Sequence, residues 1–78
     1  NQKFLSSKET KRAYISKYKD TQYNGFTYSV VAKNSKSKGT VISFLYMTDK
    51  ELKDADLDKA IDKTVNEIES FLNWTSHD

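Results

Sequence analysis

FTYSVVAK (residues 26–33) and TVISFLYM (residues 40–47) decide the fold of this 78-residue chain. Both runs are rich in β-branched and aromatic residues, which suit a pleated surface, and six polar or glycine residues, Asn34 to Gly39, separate them. An antiparallel β-hairpin is the economical reading. Asn34 and Gly39 are the residues such a connection would use for unusual backbone angles.

Side chains alternate along a strand, so pairing Lys33 with Thr40 assigns the faces. One face then holds Phe26, Tyr28, Val30, Ala32, Val41, Leu45 and Met47. The other holds Val31, Ile42, Phe44 and Tyr46 with Thr27 and Ser29. Both faces carry apolar residues, and one helix can cover only one of them. The second is expected to meet the N-terminal segment, another subunit or a ligand.

The covering element follows in sequence. Leu57, Ile61, Val65, Ile68 and Leu72 recur at helical spacing, with Asp58, Lys59, Asp62, Lys63, Asn66 and Glu67 on the opposite side. Thr48-x-x-Glu51 has the form of a capping box. A helix starting there would far outrun an eight-residue strand, so a short turn over 49–54 and a helix from about Ala55 to Trp74 are expected.

Residues 1–25 read less clearly. Ser6-x-x-Glu9 is a second capping-box form and favours a short N-terminal helix ending before Tyr18, followed by an extended piece entering the Asn24-Gly25 turn. The alternative is a strand over 14–23, giving a three-stranded meander before the helix. Either way residues 1–78 form a single small α+β domain: an antiparallel hairpin or meander packed against a C-terminal amphipathic helix.

Composition limits the chemistry. Cysteine is absent, which removes disulfides, thiolate metal sites and a cysteine nucleophile. No apolar run approaches a membrane span, and no signal-peptide core is present. The first residue is Asn1, consistent with a mature product or an excerpt of a longer chain.

Asp54, Asp56 and Asp58 do not complete a calcium loop, because Lys59 and Val65 stand where glycine and glutamate are required. They suit a helix N-terminus. His77, the one histidine, lies near the C-terminus without an orienting partner nearby in sequence. With only Gly25 and Gly39, no glycine-rich phosphate loop can form. The chain therefore reads as non-enzymatic, with no cofactor and no metal site.

Two binding chemistries remain. Val31, Ile42, Phe44 and Tyr46 could form an apolar patch for a protein partner or a homodimer. The alternative is a polyanion such as nucleic acid, met by Lys11, Arg12, Lys17, Lys19, Lys33, Lys36 and Lys38 among Tyr14, Tyr18, Tyr23, Phe26 and Tyr28. Twelve of the thirteen basic residues are lysine, which contacts phosphate without reading a base. Charge is also segregated along the chain. Residues 1–40 hold nine basic groups against two acids, a net +7, and residues 41–78 hold four against nine, a net −5. The segregation suits either a polyanion-facing surface or mutual attraction of the two halves. Partner binding through the sheet face is the leading expectation.

Overall fold

The computed structural model describes residues 1–33 and 41–76. Four strands precede one helix: β1 (Gln2–Glu9), β2 (Ala13–Asp20), β3 (Phe26–Ala32), β4 (Ser43–Thr48) and α1 (Asp54–Ser76). The sheet is an antiparallel meander in the order β1-β2-β3-β4. The expected α+β architecture holds, with one more strand than the meander required.

The short N-terminal helix does not form. Its residues make β1 and β2, joined by a tight turn at Thr10–Arg12. The Thr10 hydroxyl accepts the amides of Arg12 and Ala13, so local side-chain bonding closes a hairpin there. In β2, Ala13 and Ile15 alternate inward and are buried. β1 has almost no buried side chain. It is held as a strand by pairing with β2, a long-range contact that helix propensity does not register.

Asn24-Gly25 ends a longer connection than a two-residue turn. The Asp20 carboxylate accepts the amides of Gln22 and Tyr23, and the Asp20 amide donates to the Gly25 carbonyl. Glycine suits position 25 because a Cβ there would lie 3.1 Å from the Thr48 carbonyl oxygen at the end of β4.

The β3–β4 register differs by one residue from the expected one. Val30 lies opposite Phe44, and Tyr28 opposite Tyr46. A one-residue slip moves a whole strand's side chains to the other face of its partner's pattern. Phe44 and Tyr46 therefore join Tyr28 and Val30 beneath the helix and Ile42 is buried on the same side of the sheet, while Leu45 and Met47 turn outward with Val31. This arrangement buries the two aromatic rings of β4 in part, where they remove more apolar area from water than the leucine and methionine would.

Helix α1 begins one residue before its expected start, with the Leu57 amide donating to the Lys53 carbonyl. Thr48 does not cap it; its hydroxyl donates to the Lys50 carbonyl in the preceding turn. Leu57, Ile61 and Val65 pack on Ala13, Ile15, Tyr28 and Val30, with Leu52, Phe26, Ala32, Phe44 and Tyr46 around them. Tyr28 is fully buried, and its phenol oxygen accepts the Leu52 amide at 3.0 Å. That bond ties the segment entering the helix to the middle of the sheet. No helix among the described residues is long and apolar enough to cross a membrane.

Candidate functional site

The face of the sheet away from α1 carries three rows across the strands, each set by the observed register. One runs Glu9, Tyr14, Val31, Ser43; the next Ser7, Ser16, Ser29, Leu45; the third Phe4, Tyr18, Thr27, Met47. Three adjacent serines thus floor a shallow trough between two bulkier rows. The outer rows lie four residues apart along the strands, about 13 Å.

Several contacts hold this face in shape. Phe4 packs edge-on against Tyr18, with ring centroids 5.6 Å apart. The Gln2 side-chain amide donates to the Thr27 hydroxyl at 2.9 Å, which accounts for a buried threonine on an otherwise open face. Lys33 lies over the Tyr14 ring, 4.5 Å from its centroid, and pairs with Glu9. The charges at that end are therefore matched, and the middle of the face is neutral.

Much of what remains in contact with water is apolar, beside the exposed polar groups of Gln2, Ser7, Glu9 and Ser43. Phe4 is 56% exposed, Tyr14 50%, Val31 39%, Leu45 64% and Met47 73%. Scattered apolar residues are ordinary on any surface, but Tyr14, Val31, Leu45 and Met47 are neighbours across β2, β3 and β4, a grouping of the kind found at interaction sites, while Phe4 stands apart on β1 beside Tyr18.

The residues expected to form the partner patch are not together. Val31 lies on the open face, whereas Ile42 is buried and Phe44 and Tyr46 are half-buried on the helix side. The one-residue register difference is the reason. Tyr14 and Leu45 stand next to Val31 on the neighbouring strands, with Met47 beyond Leu45 on β4 and Phe4 on the far edge strand β1. Alternation in 13–20 is the signal that would place Tyr14 on the side opposite Ala13 and Ile15, whereas 2–9 carries no such pattern to mark Phe4.

The basic residues are also divided. Lys17 and Lys19 project toward the helix side, and Lys33 toward the open face. Lys11 and Arg12 occupy the β1–β2 turn. Arg12 Nε lies 3.2 Å from the Asp62 carboxylate, and the guanidinium also donates to Asn66. Lys8 Nζ stands 3.5 Å from Asp54 and 3.6 Å from Asp58. Lys17 pairs with Glu51, and its ammonium pKa is raised above the ordinary lysine value by that hydrogen bond, partial burial opposing it and the Glu51 charge adding to it. Lys19 lies 5.8 Å from the centroid of the Phe26 ring. Four of the five ion pairs among the described residues join the basic half of the chain to the acidic half. The charge segregation thus serves contacts within the fold, each partly exposed and individually modest.

Lys36, Lys38 and His77 lie outside the described residues, as does the side chain of Trp74. Comparison with family models, curated proteins and solved structures finds no match to this chain.

Proposed function

We propose that this chain is a non-enzymatic interaction module that docks a protein partner on the open face of its sheet. The observation that carries this reading is the set of neighbouring exposed apolar side chains, Tyr14, Val31, Leu45 and Met47, on the face opposite α1, with Phe4 exposed on the far edge strand of the same face. The serine trough adds to it, since small side chains let a partner's larger ones approach the sheet. The neutrality of the centre favours an apolar partner surface over a charged one.

The polyanion reading has weaker support. Arg12, Lys17 and Lys33 already have carboxylate partners, and the basic residues are spread over the turn and both faces. Phosphates would have to displace those carboxylates.

The test is affinity capture with the wild type, Val31→Lys, and Lys59→Glu as a control on the exposed side of the helix. A partner kept by the wild type and the control but lost with Val31→Lys supports the proposal. A partner held equally by Val31→Lys overturns it. Titrating salt against single- and double-stranded oligonucleotides tests the other reading. Binding that falls steeply with salt and is unchanged by Val31→Lys would replace the face with the basic residues.

A further inference from the structure

The two edges of the sheet differ in a way that the open face does not explain. β1 is a guarded edge. It carries Lys3, Lys8 and Glu9, and its pairing with β2 is irregular between Phe4 and Ser6. Charges and bulges of this kind discourage a further strand from pairing. β4 is the other edge, and its six residues, SFLYMT, contain no charge and no proline, with continuous pairing to β3.

β4 also leaves the right groups outside. The Ala32 amide donates to the Ile42 carbonyl at 2.8 Å, and Ala32 and Ile42 continue the β3–β4 register as a hydrogen-bonded pair. Since such pairs alternate along an antiparallel ladder, Ile42, Phe44, Tyr46 and Thr48 direct their amides and carbonyls to β3. Ser43, Leu45 and Met47 direct theirs away from the sheet. On the side chains, Leu45 and Met47 are exposed on the open face, and Phe44 and Tyr46 are only half-buried beneath the helix. The helix leaves the edge accessible because its acids are tied toward the opposite strands, Asp54 and Asp58 to Lys8 and Asp62 to Arg12.

We infer that β4 pairs antiparallel with β4 of a second copy of this chain, joining two four-stranded sheets into one of eight strands. The occupant is a second copy because the edge complements itself. With the two-fold axis at Leu45, Leu45 faces Leu45, Ser43 faces Met47, and Phe44 faces Tyr46 of the other copy. All outward amides and carbonyls of Ser43, Leu45 and Met47 then find partners, as a two-fold symmetric interface requires. Apolar side chains meet on both faces, and no like charges are brought opposite each other within the strand. Asp49 falls opposite Val41. This contact rests on the edge backbone and shares Leu45 and Met47 with the proposed docking face, whereas Tyr14 and Val31 belong to that face alone, so changes at Val31 and at the Leu45 backbone tell the two apart.

A six-residue edge is a small interface, so a weak dimer is expected, visible between about 10 μM and 1 mM protein. Sedimentation equilibrium should show the wild type and Leu45→Ala dimerising in that range, and Leu45→Pro, which removes the outward amide, remaining monomeric. Leu45→Pro could also damage the fold, so a second measurement uses the absence of cysteine from the chain. Leu45→Cys would place two thiols in a directly opposed pair, with Cα atoms about 5.5 Å apart and within disulfide reach. It should form a covalent dimer on mild oxidation, whereas Val31→Cys, one strand inward, should not. A wild type monomeric at 1 mM overturns the inference. So does a dimer that is cross-linked through Val31→Cys and not through Leu45→Cys, which would locate self-association on the face. A chain that captures another protein while remaining monomeric assigns the edge no second copy and likewise overturns it.

Discussion

Strand β3 shows its two sides to very different surroundings. Tyr28 and Val30 point beneath the helix and are wholly removed from water, while Val31, the next residue, points to the open face and stays 39% exposed. Composition does not separate the two sides, since both are apolar and aromatic in part. What separates them is the presence of α1 on one side only. Stability is concentrated where the helix lies, and the opposite side keeps apolar area whose burial would add little to the fold but much to a complex.

The largest effect is expected from the helix side. Ile61→Ala should destabilise by about 2–5 kcal/mol, through lost burial and the cavity left between helix and sheet. That is a large share of the total for a domain of this size. Urea denaturation followed by circular dichroism measures it. Val31→Ala is the matching change on the open side, and a loss as large as that of Ile61→Ala would erase the distinction between the faces.

A smaller effect tests the polar bond inside the covered side. Tyr28→Phe keeps the ring and removes the oxygen that accepts the Leu52 amide. The expected loss is about 1–2 kcal/mol, because a partly buried donor is left unsatisfied. Amide exchange at Leu52 should accelerate in the variant. Unchanged exchange would mean that the phenol does not hold the entry to the helix.

The smallest effect concerns the charges along the border of the covered side. Glu51→Gln should cost about 0.2–1 kcal/mol at neutral pH, since the pair with Lys17 is partly exposed. The raised Lys17 pKa sets the sign of the pH dependence. Its contribution is fully present below the ordinary lysine pKa of about 10.4 and is lost as pH rises through the higher folded value. The difference between wild type and variant should hold steady from pH 7 to 9 and close on further alkalinisation. A difference that persists undiminished at the highest pH where the protein stays folded would sink this account.

Helix α1 was legible in advance because its evidence is local. The recurrence of Leu57, Ile61, Val65 and Ile68 needs nothing but the pitch of an α-helix, and the two apolar runs announce β3 and β4 by their composition. The N-terminal strands were hidden for the opposite reason. β1 buries almost nothing, so its sequence lacks a one-sided pattern, and its conformation is imposed by hydrogen bonds to β2 from outside the segment. The open site was hidden for a third reason. Alternation shows that Leu45 and Met47 share one side of β4 and Phe44 and Tyr46 the other, but not which side meets the helix.

Only the tertiary structure settles that choice. Parity within each strand belongs to the chain, since successive side chains must point to opposite faces. Register between strands belongs to the fold, because it depends on which side chains find the better cover beneath α1. One residue of register decides whether Phe44 or Leu45 is offered to solvent, and with it which residues are available to a partner.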